Sequence, residues 1–461
     1  MATNVRVLVL GAGPTGIVTA WGLKENGVTD VCIVEKADRP GGLARSRQVA
    51  GRRVDFGPHV VHTRDERGRR VIEHLLGSEL RPMRDERVGV WLRGRPIDYP
   101  PSLGQLSSAL GARETVRCGA SFLRSHLFRR RGDGARTCES RLIARYGRRF
   151  YQVALAPMAR KMWGVEPPAL SEDLDDERVM WSGRGFRRVR QTSYYPQGCS
   201  GDIWDNGVAQ LRASGVSVMV NARPVSVRIE GDRIASVTVR TDERDLELRP
   251  EYVVSTIPLH DLLSVLEPRA SGMTRRALER ILYRALVIVY VVFRSPKMSP
   301  FHYSYFPEPD YAFHRLFEQK NFTDRAENGE HTVIGAELSC FTDDEIWNAP
   351  DEELLEKVVS GLERAQLAAG NDIAASTTAR ESHAYPMYTW NYRGALETIL
   401  DELGRIENLL LNGRHGLFKL NNVHHCVEMG LAAADHIARE RPRESWQASI
   451  RGFKRFRVSD Y

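Results

Sequence analysis

The sequence predicts an α/β chain, in which a Rossmann-like dinucleotide-binding domain is joined to a substrate domain of helices and antiparallel sheet. Three observations predict it. An apolar strand over residues 5–10 runs straight into a glycine turn and a helix over 17–25. A second strand, 30–34, follows and ends on an acid, Glu35. Far downstream, the β-branched runs 285–293 and 332–338 stand outside any βαβ unit and read as antiparallel strands.

Each glycine of the turn Gly11-Ala12-Gly13-Pro14-Thr15-Gly16 has a physical task. Gly11 makes the tight turn, Gly13 admits a pyrophosphate to the backbone, and Gly16 lets helix and strand pack closely. The helix N-terminus offers free N–H groups and its positive dipole end to the phosphates. Glu35 stands 19 residues after Gly16, where a carboxylate can accept hydrogen bonds from a ribose diol.

Composition narrows the class. The six cysteines (Cys32, Cys118, Cys138, Cys199, Cys340 and Cys426) form no C-x-x-C pair. That argues against a structural metal site or a disulfide scaffold and fits a reducing, cytoplasmic location. The most apolar run, 285–293, is far shorter than the roughly 20 residues a spanning helix needs. The polar N-terminus lacks a secretory signal pattern, and no membrane-binding apolar helix is evident. The net charge of +7 is densest in arginines between Arg124 and Arg149. A solvated face explains such a run, and an anionic substrate or an acidic membrane surface is the alternative. No nucleic-acid-binding module accompanies it. The partner expected is a small molecule, with oligomerisation left open.

The segment from Glu35 through Gly41-Gly42 to Ser46 resembles the E-x-x-x-x-x-G-G-x-x-x-S/T pattern of glutathione-reductase-type flavoproteins. The resemblance implies noncovalent FAD, with Gly41, Gly42 and Arg45 near its diphosphate and ring. Residues 218–225 and 252–258 resemble that family's third-strand region and closing strand, which puts Val225 at the cofactor. Residues 408–414 and 428–434 resemble its final strand, turn and helix. Gly413, Arg414 and Met429 are thereby assigned to the cofactor. The disulfide-redox C-x-x-x-x-C and a second G-x-G-x-x-G for NAD(P)H are both missing.

Within that superfamily, the G-x-H-x-x-H segment Gly57–His62 resembles UDP-galactopyranose mutases. This likeness places His59 at the flavin and gives His62 a catalytic role. It continues through 93–100, with Asp98 as a substrate contact, and through 146–164, where Trp163 flanks the substrate cleft. Residues 195–198 and 313–322 carry it further, and Arg315 there grips a diphosphate. Arg178 is a second catalytic arginine on the same grounds. The activity implied is pyranose–furanose isomerisation of a nucleotide-diphosphate sugar, in which N5 of reduced FAD attacks the anomeric carbon. Arginines suit the leaving diphosphate because a guanidinium fork bonds it bidentately. The sequence departs from the mutases at Leu420 and Asn422, where they carry a tyrosine and an aspartate. Asn422 remains a substrate-contact candidate, with Lys419 or His424 rebuilding the phosphate grip.

The competing reading is an oxidoreductase of the amine oxidase and protoporphyrinogen oxidase type, which removes hydride from its substrate. The aromatics of 385–390 would supply its cage. Either way, the expected FAD domain is discontinuous (1–75, 200–265 and 400–445). A mainly helical subdomain (76–199), an antiparallel-sheet subdomain (266–399) and a peripheral tail (446–461) complete the expected division.

Overall fold

The computed structural model describes residues 2–63, 65–83, 86–127, 137–174, 193–323, 329–368 and 372–456. The first strand, Thr3–Leu10, runs parallel to Val31–Val34 on one side and to Asp245–Ser255 on the other. Ser217–Met219 extends the sheet beyond Val31–Val34, and Leu409–Leu411 pairs in parallel with Asp245–Ser255. A strand covered on both faces needs apolar residues throughout, and Val7 to Leu10 are fully buried. Asp245–Ser255 serves two layers. Its start pairs antiparallel with Arg233–Arg240, which forms a hairpin with Arg223–Glu230, and its end lies in the parallel sheet.

The first helix, Pro14–Glu25, packs against the C-terminal helix Val423–Ala438. Small residues allow this. A Cβ on Gly22 would come within 2.7 Å of the Ala434 Cβ, and one on Gly430 within 2.8 Å of the Thr15 carbonyl oxygen.

The second sheet has seven strands, in the order Ile373–Met387, Leu282–Phe293, Thr332–Cys340, Arg315–Glu318, Tyr303–Tyr305, Val88–Leu92 and Arg95–Asp98. It roofs the first. The last two strands come from the stretch expected to be mainly helical. Leu103–Leu110, Ala112–Leu127, Cys138–Tyr146 and Ala156–Trp163 are helices as anticipated.

The described part of the stretch expected as a peripheral tail is packed: helix Arg443–Phe453 lies on Val423–Ala438 and buries Trp446 and Phe453, while Phe456 stacks on His425. Three aromatics outweigh the surrounding charge. Helix Ala112–Leu127 exposes apolar side chains, with Val116, Leu123 and Leu127 between 59% and 75% accessible.

A buried carboxylate ties floor to roof. Asp55 accepts hydrogen bonds from Ser46 Oγ (2.7 Å), the Ser200 amide (2.9 Å) and the Tyr195 hydroxyl. Its own amide donates to Gln319 Oε1 at 3.0 Å, and Tyr290 of the roof donates to its carbonyl at 2.9 Å. Burial pushes the Asp55 carboxyl up to about 6, against the pull of these donors.

Candidate active site

Between the two sheets lies a cavity of about 650 Å³, running from the glycine turn to the inner face of the roof. Its floor is made largely by backbone. Gly11 adopts φ +102°, and a Cβ there would meet Thr256 Oγ1 at 2.4 Å. On Gly16 a Cβ would lie 2.0 Å from the Gly11 carbonyl oxygen, so helix and turn are in direct contact. Gly13 differs: a Cβ there would meet nothing within 4 Å and would project into open space. Gly13 lines the cavity, and it heads the first helix without a side-chain cap. The first N–H groups of that helix are thus left for a ligand.

Glu35, itself buried, borders the same space. Its carboxylate is fixed by the amides of Ala12 (2.8 Å) and Ala37 (2.9 Å). Gly42, Arg45 and Val225 line the cavity too. An uncapped helix terminus, a side-chain-free approach at Gly13 and a fixed acid bordering the same space together fit the dinucleotide of FAD. Gly41 and Gly413 stand behind this wall; both have positive φ, and a Cβ on Gly413 would press on Thr15. Met429 is fully buried and lies outside the cavity wall; its carbonyl accepts from Asn412 Nδ2 at 2.9 Å.

The other end is built from charged side chains. Arg315, at the start of a roof strand, donates from Nε and Nη2 to Glu337 on the neighbouring strand, at 3.0 and 2.8 Å. Glu337 is fully buried, so the arginine neutralises a carboxylate that the apolar strand Thr332–Cys340 could not otherwise hold. Arg45 pairs with Glu381 at 3.3 Å and lies 4.2 Å over the Phe56 ring. The carbonyls of Asn421 (3.0 Å) and Ala384 (2.9 Å) hold Arg414 beside the Tyr385 ring. All three arginines, with Glu337 and Glu381, line the cavity.

His59 stands among them. Its Nδ1 lies 2.9 Å from the Gly57 carbonyl, which can only accept, so Nδ1 carries the proton. Desolvation, reinforced by Arg315, Arg414 and Arg45, lowers this imidazole to about 4. Burial takes His62 down to about 3, with His424 adding a small push; its Nδ1 is 3.0 Å from Ser193 Oγ. Both histidines line the cavity and are neutral at physiological pH.

The remaining candidates divide. Asn422 lines the cavity at the N-cap of the C-terminal helix. Asp98 lies outside the cavity wall, and its carboxylate accepts from Arg87 (3.0 Å) and Gln105 (2.8 Å). Trp163 is buried behind the wall, edge-on to Tyr385 at 6.3 Å. Arg178 lies outside the described residues.

Sequence reasoning missed Tyr303, Tyr305, Glu337, Glu381 and His383, all of which line the cavity. Glu337 carried a signal: one carboxylate within a run of nine strand residues, otherwise apolar or small, demands a cationic partner.

No helix of the described residues is long and apolar enough to cross a membrane, and none of them form a cluster able to hold a metal ion.

Comparison with known proteins agrees with this geometry. Residues 14–438 match the model of the flavin containing amine oxidoreductases. A probable UDP-galactopyranose mutase of Klebsiella pneumoniae is 26% identical over 174 residues, which cover 36% of this chain and 43% of that protein. Polyamine oxidase 1 of Zea mays is 43% identical over 56 residues, 12% of this chain and 11% of that protein. The chain therefore aligns with less than half the length of these curated relatives. Among solved structures, reduced UDP-galactopyranose mutase superposes with a TM-score of 0.83 at 20% identity, covering 98% of this chain and 99% of the other. Putrescine oxidase bound to putrescine gives a TM-score of 0.61 at 14% identity, covering 95% and 99%. At such identities the superpositions establish the fold, an α/β architecture of FAD-binding type. With the family match spanning nearly its whole length, the chain belongs to the flavin containing amine oxidoreductases.

Proposed function

We propose that this protein is a flavin-dependent mutase acting on a nucleotide-diphosphate sugar, with FAD held noncovalently and active when reduced. One observation carries the reading. The guanidinium groups of Arg45, Arg315 and Arg414 border one cavity around His59. Three forked donors converging on one space suit a doubly anionic diphosphate, which accepts bidentate hydrogen bonds, better than a protonated amine.

Gly13, Gly42 and the first helix N-terminus would hold the FAD diphosphate, and Glu35 the adenosine ribose. Bound reduced FAD would supply the nucleophile that displaces the nucleotide diphosphate from the anomeric carbon. The chain's own part is to receive the charge that leaves. Arg315 spends Nε and Nη2 on Glu337, which fixes its plane and keeps Nη1 for a phosphate oxygen. Arg414, oriented by two carbonyls, is the second cation, and Arg178 is a third candidate. Neutral His59 and His62 can border the sugar without adding a charge that would protonate the nucleophile. Asn422 replaces a carboxylate with an amide, which removes a repulsion from the diphosphate. The floor strands correspond to the discontinuous FAD domain, and the roof and helices to the substrate side.

A second reading, hydride removal from an amine or lipophilic substrate, draws on the aromatic lining of Tyr303, Tyr305 and Tyr385 with Glu337 and Glu381. One anaerobic experiment separates the two. The purified protein is reduced with dithionite, given a panel of nucleotide-diphosphate sugars, and its products are chromatographed. Ring-isomerised product formed only with reduced flavin supports the mutase. No conversion, together with bleaching of oxidised flavin by candidate amine or lipophilic substrates, overturns it in favour of the oxidase.

A further inference from the structure

Helix Ala112–Leu127 is turned the unusual way round. Glu114 and Cys118 are its buried positions, with Glu114 tied to Arg149 by hydrogen bonds. The opposite face carries Val116, Ala120, Leu123 and Leu127, at the i, i+4, i+7 and i+11 spacing of one continuous stripe. Val116 is 70% accessible, Leu123 59% and Leu127 75%. A solvated helix normally shows the reverse pattern. Along one flank of the stripe stand Arg113, Arg117 and Arg124, all exposed, and Glu114 is the helix's lone acid. No other described segment covers this face.

We propose that this face seats the protein peripherally on an anionic phospholipid bilayer. The stripe would enter the headgroup–acyl boundary, and the arginine flank would meet lipid phosphates; an interfacial helix requires this combination of apolar area and adjacent cations. A second copy of the chain fits less well. Antiparallel two-fold pairing of the stripes sets the arginine flank of one helix against its own counterpart, where like charges repel. The proposal stands apart from the choice between mutase and oxidase, since it places the protein and leaves its chemistry open.

The test uses the full-length, FAD-loaded protein with vesicles of phosphatidylcholine alone or mixed with phosphatidylglycerol. The wild type should float with the mixed vesicles and be released by high salt. The Leu123→Glu/Leu127→Glu variant should bind about tenfold less while keeping its FAD absorbance and melting temperature, because both positions face solvent. Arg113→Gln/Arg117→Gln/Arg124→Gln should lose preference for the anionic lipid. All six native cysteines are buried, so a fluorophore on Leu127→Cys reports this face alone, and its emission should shift to the blue on mixed vesicles. Failure of the wild type to float, or equal flotation of wild type and the glutamate variant, overturns the proposal. So does a wild-type dimer in sedimentation that the glutamate variant dissociates, which would make the stripe a self-interface.

Discussion

The floor and the roof of the cavity bind charge by different means. The floor uses backbone: an uncapped helix end, and glycines whose missing side chains are the feature selected. The roof uses ion pairs: Arg315 with Glu337 on the neighbouring strand, and Glu381 with Arg45, which reaches it from the floor. A backbone site tolerates loss of any one side chain but no addition. An ion-pair site behaves oppositely, since removing one member strands the other in a dry interior.

The largest effect should fall on the roof. Arg315→Ala leaves the buried Glu337 carboxylate without its partner and should cost roughly 3–5 kcal/mol in denaturant unfolding, besides abolishing turnover. The Arg315→Gln/Glu337→Gln double variant should recover most of that stability and none of the turnover. Recovery of both would mean that the pair is scaffolding and that the phosphate clamp lies elsewhere.

On the floor, Gly16→Ala drives a methyl into the Gly11 carbonyl and should cost about 3 kcal/mol, with loss of bound FAD. Gly13→Ala sharpens the contrast, because its methyl meets open space. Apoprotein stability should stay within about 0.5 kcal/mol. FAD affinity, measured by fluorescence quenching, should fall about tenfold, or about 1.4 kcal/mol. Equal damage from the two substitutions would show that Gly13 serves folding and not ligand approach.

The pH dependence probes the region where floor and roof meet. Both cavity histidines have folded pKa values below the ordinary 6.5, His59 at about 4 and His62 at about 3. The unfolded chain therefore takes up these protons first. Their contribution is intact above pH 6.5 and is lost as pH falls toward 4 and then 3. Urea unfolding between pH 7 and 3 should show the decline, and His62→Phe should lessen its slope throughout, most fully between pH 4 and 3. Smallest of all, His62→Ala should forfeit the Ser193 contact, about 1 kcal/mol, and alter the visible spectrum of the bound flavin. An unchanged spectrum with unchanged turnover would leave His62 a packing residue.

The same contrast explains what the sequence revealed. Gly11, Gly13, Gly16 and Glu35 announce themselves because a backbone site fixes local spacing, and the strand–turn–helix follows from neighbouring residues alone. Arg315 was visible through its local context, but its partner Glu337 lies 22 residues on, and only the strand register brings the two together. Tyr303 and Tyr305 escape detection because a three-residue strand has too short a period to show. Asp98 resembled a substrate residue in its segment, yet Arg87 across the hairpin claims it. The stripe of Ala112–Leu127 was hidden for another reason. Periodicity finds an apolar face but does not say which way it points, and here polar neighbours took the inner side.

The strand Asp245–Ser255 carries a consequence for how the chain is made. Thr3–Leu10 leaves the ribosome well before its neighbours: one of its two flanking partners is more than two hundred residues behind it, and Leu409–Leu411 arrives later still. Pairing of such high contact order is slow, and a half-built parallel sheet exposes an apolar edge while it waits. Nascent chains arrested before residue 411 should therefore be protease-sensitive and bound by chaperones. The dinucleotide fold, announced by residues 5–35, can close only after residue 411 has been made.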